Sequence, residues 1–302
     1  MGVRSTNTTQ SFGSDFYRSG IDAADPYVPP PPLYVDDVFK IHLYDGTGST
    51  QTITNGIDLN GKGGLVWIKE RNDTQYHQLF SREVGLSTSL ATNTDNQAST
   101  SSDITSFNSD GFTLATSNGT NKLDSDFVSW TFRKQPGFFT IKKWVGDGQG
   151  DRYLDHDLDS RPSFVIVKNL TDSQDWGCYH KSLGAGIRTG LALNQTYESG
   201  NNSIINPCSS VPTSSQIHIR GDYNTLDKNY VAYLFGDDDM RFGTDRNESI
   251  IKCGDFTAHA SGVSVDLGWE PQFVMWKTSN VSGNWHIQDM MRGMSYGPDS
   301  GE

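Results

Sequence analysis

LVWIK, residues 65–69, returns as FVIVK at residues 164–168 and as FVMWK at residues 273–277. In the first run Leu65 and Trp67 point to one side of a strand and Val66 and Ile68 to the other. Both sides are apolar. Such a strand is covered on both faces, or one face meets a neighbouring domain. The surroundings of each run recur as well. Ten residues before each lysine (Lys69, Lys168, Lys277) stands a leucine: Leu59, Leu158 and Leu267. Eight residues after it stands a ring: His77, Trp176 and Trp285. Sixteen residues after it stands a glycine: Gly85, Gly184 and Gly293. Four landmarks at fixed spacing, three times over, mean two copies of one domain and the first part of a third. Tandem copies are typical of structural and binding proteins and unusual for an active site.

The repetition extends outward. NKLDSDFVSWTF at 121–132 matches NTLDKNYVAYLF at 224–235 at a constant offset of 103. A strand-like run leads each copy: FKIHLY from Phe39, FTIKKWV from Phe139 and SIIKCG from Ser249. The unit is about 100 residues, the usual size of a domain and too long for a solenoid repeat. The organisation expected is an arm over 1–38, repeat one over 39–137, repeat two over 138–248 and a partial repeat three over 249–302. The third copy reaches Glu302 before a closing strand, so the chain is expected to be a fragment of a longer protein.

The formal net charge is −12. A protein that tracks nucleic acid needs a basic surface to displace counterions from phosphate, and nothing here supplies one. No apolar run approaches the ~18 residues of a membrane span. The opening MGVRSTNTTQ lacks the apolar core of a secretory signal. It does carry the short myristoylation pattern at Gly2. Three cysteines, an odd number without a signal, argue for free thiols rather than a disulfide framework. No cofactor is expected.

The first 38 residues are rich in Ser, Thr, Asn and Gly and end in PYVPPPPL. Four consecutive prolines hold an extended polyproline segment. A purely solvated tail needs few aromatics. Phe12, Phe16, Tyr17 and Tyr27 therefore point to an arm that docks on a partner. From Val35 onward the pattern is β. In DFVSWTF, Val128, Trp130 and Phe132 make an apolar face, with Ser129 and Thr131 opposite; Val231, Tyr233 and Phe235 repeat it. Turn-forming clusters separate such runs. About seven to nine short strands per 100 residues reads as tandem β-sandwiches, jelly-roll-like, in an all-β protein. The repeated residues are given structural work. Each leucine precedes a tight turn and plugs one end of a sandwich. Each ring opens the next strand and packs over it. Each glycine takes a positive φ where a hairpin or bulge ends.

Motifs with chemical overtones are weak here. DHDLD at 155–159 has calcium-loop spacing, but Ser160 replaces the expected glycine and no glutamate stands at the twelfth place. The acidic cluster at 237–239 reads as solvated charge, with calcium the alternative. Cys178 and His180 share one side of a strand, but the other copies carry Leu79 with Ser81 and Ile287 with Asp289 there. A thiol–imidazole pair would be private to copy two. No nucleophile elbow, phosphate loop or HExxH sequence occurs.

GLVWIKERNDTQYHQLF, SFNSDGFTL, FVSWTFRKQPGFF, YVAYLF and SIIKCG together resemble a repeated β domain of virion structural proteins, tail or tail-fibre-like, from marine tailed bacteriophages, cyanophages especially. The likeness spans about residues 39–302. The opening TQSFGSDFYRSGIDAADPYVPPPP looks like leaders of tail-fibre-like proteins of such phages. The resemblance implies a non-enzymatic tail or appendage component, a homotrimer with other virion proteins as partners. The arm would sit on the particle and later domains would point outward, the whole assembled in the host cytoplasm. Two other functions stay open. One is an array of glycan-binding modules facing the host surface, with Trp144, Trp269 or Tyr197 as stacking rings. The other is a tailspike depolymerase, which needs two carboxyl groups about 5–9.5 Å apart in a groove.

Overall fold

The computed structural model describes residues 31–201 and 205–294. Phe12, Phe16, Tyr17 and Tyr27 lie outside the described residues. The body, Leu33–Glu302, is one compact unit. It is all-β, with antiparallel sheets and, among the described residues, one short α-helical turn and three 3-10 turns.

Copy one holds β1 (Phe39–Asp45), β2 (Gln51–Thr54), a single helical turn α1 (Leu59–Lys62), β3 (Gly64–Glu70), β4 (Gln78–Ser81) and β5 (Thr88–Ala91). It continues with β6 (Ser99–Thr100), β7 (Ile104–Asn108), β8 (Gly111–Leu114) and β9 (Asp126–Arg133). The larger sheet runs β1-β9-β3-β4-β5-β6 and the smaller β2-β8-β7. Copy two holds β10 (Phe139–Val145), β11 (Arg152–Asp155), β12 (Phe164–Asn169), β13 (Gly177–His180), β14 (Leu191–Ala192), β15 (Gln216–Ile219) and β16 (Asn229–Phe235). Its sheets run β10-β16-β12-β13-β14 and β11-β15, the same order as in copy one. The last strand of each copy thus lies between the first strand and the doubly apolar one.

The period-two alternation of the quoted strand explains the layering. Val66 and Ile68 face the smaller sheet of copy one, in a core with Ile53, Leu59, Phe112 and Phe127. Val165 and Val167 do the same in copy two, with Leu154, Leu158, Ile217 and Tyr230. Each fully buried side chain of this kind stabilises by roughly 1.5–3 kcal/mol relative to exposure. The opposite face goes elsewhere. Leu65, Trp67, Val128, Trp130 and Phe132 share one core with Phe139, Ile141, Ile166, Val231 and Tyr233 of copy two. Phe273, Met275, Trp285 and Ile287 of copy three pack against that same core. Phe132 is its hub: its ring lies 4.7 Å from Phe39, 5.7 Å from Phe235 and 6.0 Å from Phe273. A unit of domain size is therefore not a self-contained body here, because every copy gives one sheet face to a core common to all.

Several expectations are corrected. DFVSWTF is not half-exposed: Ser129 and Thr131 are buried. Thr131 Oγ1 accepts from Asn55 Nδ2 at 2.9 Å, so the polar side of β9 faces the copy's own interior rather than water. LNGKGG is not a plain turn but α1, whose Asp58 Oδ1 accepts from Gly61 N at 2.7 Å as an N-cap. Residues 33–38, assigned to the arm, belong to the body: Gly243 N donates to Leu33 O at 2.9 Å and Val38 is buried.

Copy three differs most. Among the described residues its only strands are β17 (Phe273–Trp276) and β18 (His286–Asp289), paired with each other. SIIKCG, read as a leading strand, joins no ladder among the described residues. The reason lies in the strand order. β1 and β10 pair with the closing strands β9 and β16, and no counterpart of those strands forms among the described residues after 249.

Candidate functional site

The residues that recur in sequence meet where copies meet. Lys168 ends the buried run of β12, and its ammonium is fully buried with it. It donates to the carbonyl of Asp95 in copy one at 2.8 Å and to that of Gln174 in its own copy at 2.5 Å. Its amine also lies 5.8 Å over the Trp176 ring. Burial lowers its pKa from the usual lysine range to about 8. Trp176, also buried, sends its indole N–H to Ala91 O at 3.2 Å and Thr94 O at 3.1 Å. The copy-two tryptophan and lysine thus grip one loop of copy one by its carbonyls.

The next junction repeats this. Lys277 donates to Thr196 O in copy two at 3.0 Å and to Gly283 O in its own copy at 2.5 Å. Trp285 Nε1 donates to Ala192 O at 2.9 Å. Ala192 and Thr196 stand 101 residues after Ala91 and Asp95. A main-chain bond joins the pattern: Gln174 N to Asp95 O at 2.9 Å and Gly283 N to Thr196 O at 2.8 Å.

A third set of contacts runs around the common core. Trp130 in β9 and Tyr233 in β16 occupy the same place, 103 residues apart. Trp130 Nε1 donates to Asp289 Oδ2 of copy three at 2.9 Å. The hydroxyl of Tyr233 lies 3.5 Å from Ser81 Oγ of copy one. Ser81 and Asp289 are also equivalent, each twelve residues after its copy's lysine. Copy two therefore reaches to copy one as copy one reaches to copy three, a cyclic relation inside one chain. Arg292 reinforces the second contact: it donates to Asp289 at 2.7 Å and lies 4.9 Å over Trp130.

Residues 1–38 ahead of copy one carry none of these landmarks, and those of copy one behave differently. Lys69 donates to carbonyls of its own copy, Glu70 at 2.5 Å and Asp73 at 2.7 Å. His77 takes the tryptophan place, and burial lowers its pKa to about 4, with the charges of Lys69 and Arg292 adding to the effect. Both line a cleft of about 750 Å³ where the three copies meet, with Asn93 of copy one, Gln195 of copy two, and Trp285 and Arg292 of copy three.

The other landmarks sit as follows. Leu59 and Leu158 are fully buried in the outer cores, whereas Leu267 is half-buried. Gly85, Gly184 and Gly293 have φ of +114°, +73° and +98°. The rings at 77, 176 and 285 directly precede β4, β13 and β18. Two kept features escaped the sequence reading. Asn121 and Asn224 are buried, and their side-chain amides hold the loop after β1 and β10: Asn121 Oδ1 accepts from Thr47 N at 2.9 Å and Asn224 Nδ2 donates to Gly150 O at 2.8 Å. In that loop a Cβ on Gly46 or Gly146 would stand 1.9 Å from Lys122 O or 2.0 Å from Thr225 O. The matched Asn-x-Leu-Asp and Gly-x-Gly strings carried this signal.

The carboxylates of 155–159 go to separate partners: Asp155 to Gln216 at 2.7 Å, Asp157 to Lys134 at 3.3 Å and Asp159 to Arg241 at 2.7 Å. Asp237 bonds Lys181, Ser163 and the Cys253 N–H, and Asp239 bonds Arg241. Among the described residues no group of three or more His, Cys, Asp or Glu is placed to hold a metal ion. Cys178 is fully enclosed in the common core and burial pushes its thiol up, which opposes a thiolate. Trp144 is buried, stacked on Tyr230 at 5.4 Å, so it presents no face to a sugar.

A family model described as a domain of unknown function (DUF7483) matches residues 35–299. No curated protein and no solved structure matches the chain.

Proposed function

The chain belongs to the DUF7483 family of domains of unknown function, and from that premise we propose that it is a bacteriophage virion structural protein, a tail fibre or tail appendage component. One observation carries the reading. The residues kept between copies are spent on fastening copies to one another, through Lys168, Trp176, Lys277 and Trp285. Repetition used for joining suits a non-enzymatic building part. The acidic, turn-rich composition and the resemblance of the β repeats to tail proteins support it. In this reading residues 1–38 attach to the particle, other virion proteins are the partners, and the protein is a homotrimer assembled in the host cytoplasm.

Mass spectrometry of purified particles of the encoding phage tests the assignment. Recovery of the chain in a fixed ratio to tail proteins supports it, and its restriction to the infected-cell lysate sinks it. Light scattering on residues 1–302 and on a version lacking 1–38 tests the oligomer. A trimer in both supports a β-held fibre. A monomer in both rejects the homotrimer and leaves the three internal copies as the source of symmetry.

Glycan binding is the second reading, and the cleft where the three copies meet favours it. Rings (His77, Trp285), amides (Asn93, Gln195) and a guanidinium (Arg292) converge there, the groups that hold a sugar. Saturation-transfer NMR with host-surface polysaccharide is expected to show contacts that Trp285→Ala abolishes. Unchanged contacts in that variant would remove the cleft from the reading.

A further inference from the structure

We infer that Lys134 and Asp157 are a self-condensing pair: the lysine amine and the aspartate carboxyl group join as an amide beside the linker between copies one and two, with Glu83 moving the protons. Nothing in this depends on the virion reading; three side chains brought to one point carry it.

Lys134 directly follows β9 and opens the linker to β10. Its Nζ lies 3.3 Å from Asp157 Oδ2 and 3.5 Å from Glu83 Oε1. Glu83 follows β4 of copy one, and Asp157 lies between β11 and β12 of copy two. Main-chain bonds hold both ends of the pair. Lys134 N donates to Gly63 O at 3.0 Å, and Gly137 N donates to Leu158 O at 2.7 Å. The Thr140 hydroxyl donates to Oδ1, the other oxygen of Asp157. Groups held in contact like this react as if at very high concentration, which is what an amine and a carboxyl group need to condense in water.

Glu83 sets this pair apart from an ordinary ion pair. Its side chain is 22% exposed, and its Oε2 is buried without a hydrogen-bond donor. Burial raises its pKa, against the pull of Lys134. A carboxyl group in that state readily carries a proton. Lys122 is an internal comparison, since it also faces two carboxyl groups, Asp73 at 3.1 Å and Glu70 at 3.6 Å. Its hydrogen bond to Asp73 raises its pKa, so it stays an ammonium and cannot attack. The copies give a second comparison. Asp58, Asp157 and Asp266 each stand just before a kept leucine. Asp58 caps α1, whereas Asp157 is turned to Lys134 and Thr140. Copy two has Ser182 and Asp237 where copy one has Glu83 and Lys134, so the trio belongs to the first junction.

The step balances within the chain. The pair starts as an ammonium and a carboxylate. For Asp157, burial raises the pKa, but the Thr140 hydroxyl and the Lys134 charge outweigh it. Glu83 gives its proton to Asp157 Oδ2 and takes one from the ammonium. The freed amine attacks Asp157 Cγ, and the Nζ–Cγ bond forms. The Cγ–Oδ2 bond then breaks, and Oδ2 leaves as water with a second proton from the nitrogen, relayed by Glu83. The amide nitrogen keeps one hydrogen, Oδ1 becomes the amide oxygen, and Glu83 ends as it began. No oxidant or other co-reactant is needed. Asp157 is 69% exposed, which gives the water a way out. The amide closes residues 134–157 into a covalent loop, so force on the linker reaches copy two by a covalent route beside β10.

Mass spectrometry of the denatured 302-residue chain tests this. The main species is expected to be lighter than the sequence requires by one water. Trypsin does not cut after an amidated lysine, so residues 134–142 are expected to appear joined to residues 153–168 as one branched peptide. Lys134→Arg keeps the charge and cannot condense; Glu83→Gln removes the acid. Each is expected to show the full mass and only linear peptides, with the circular dichroism of the wild type. The wild-type mass decides by itself, so a variant that fails to fold masks nothing. Full mass and linear peptides in the wild type would reduce the trio to an ion pair and overturn the amide. So would a water lost elsewhere, as by ring closure at Asp110–Gly111, with Lys134 still cut. A branched peptide undiminished in Glu83→Gln would overturn the part given to Glu83.

Discussion

The amine of Lys168 lies 2.8 Å from the carbonyl oxygen of Asp95, so a buried lysine of one copy is tied to the main chain of the copy before it. A strand of Phe, Val and Ile would normally end in a polar residue that turns to water. Here it turns into the junction, and Lys277 does the same one copy later. The cost of desolvating the ammonium is offset by its bonds to two carbonyls, of which Gln174 O would otherwise lack a donor.

Replacing Lys168 by Met keeps the length of the side chain and removes the donor. Gln174 O then loses its donor while Asp95 O keeps only the Gln174 N–H, and the expected loss is about 1–3 kcal/mol in urea unfolding. The pH profile separates this from packing. The folded pKa is about 8, below the usual 10.5. Between those values the unfolded chain holds more protons on this group than the folded chain, so stability rises with pH. The stability of the wild type relative to K168M should therefore climb between about pH 8 and 10.5. A flat difference across that window would show that the lysine is not desolvated.

The indole N–H of Trp176 is the second tie between copies one and two. Trp176→Phe keeps most of the ring and removes the bonds to Ala91 and Thr94 carbonyls. A loss of about 1–2 kcal/mol is expected, with faster hydrogen exchange on both sides of the junction. Trp285→Phe is expected to cost less, because Trp285 is only partly buried. Equal losses would mean that burial does not set the strength of the tie.

Much of this was legible in the residues and some was not. Alternation in LVWIK showed that both faces are covered, and Leu65 with Trp67 and Val66 with Ile68 do separate into two cores. Spacing alone could not say that the first core belongs to all copies, because burial against a neighbour and burial within a sandwich leave the same apolar signature. The lysine was the missed clue: a charge kept at the end of a buried strand needs carbonyls nearby, and a tryptophan kept only where a copy precedes it marks a junction. Ser129 and Thr131 misled for the converse reason, since a small hydroxyl reads as surface even when the His42 carbonyl or the Asn55 amide satisfies it inside. SIIKCG misled because a strand needs a partner as well as a pattern.

The loop after the first strand of each copy depends on a residue too small to be replaced. A Cβ at Gly146 would stand 2.0 Å from Thr225 O, and main chain cannot yield as a flexible side chain does. Gly146→Ala is expected to cost at least about 2 kcal/mol, the scale of an overpacked site. Gly150→Ala, where a Cβ meets nothing within 4 Å, isolates the separate penalty of a positive φ. Thermal unfolding of the two variants should rank Gly146 as the worse. The reverse order would show that the loop gives way freely.

The contact between Trp130 and Asp289 closes the cycle of copies, and it can be measured as a coupling. Asp289 is 1% exposed and its carboxylate serves both the indole N–H and Arg292. Asp289→Ala leaves a buried donor and a guanidinium without their acceptor, at an expected cost of about 2–4 kcal/mol. Trp130→Phe removes one donor and should cost about 1 kcal/mol, with the Arg292–Asp289 pair intact. If the bond couples copy one to copy three, the double variant loses less than the two single losses added, by about 0.5–2 kcal/mol. Strict additivity would place copy three beside copy one without holding it there. In that event the packing of Phe273 in the common core and the grip of Lys277 and Trp285 on copy two would carry the attachment of the third copy.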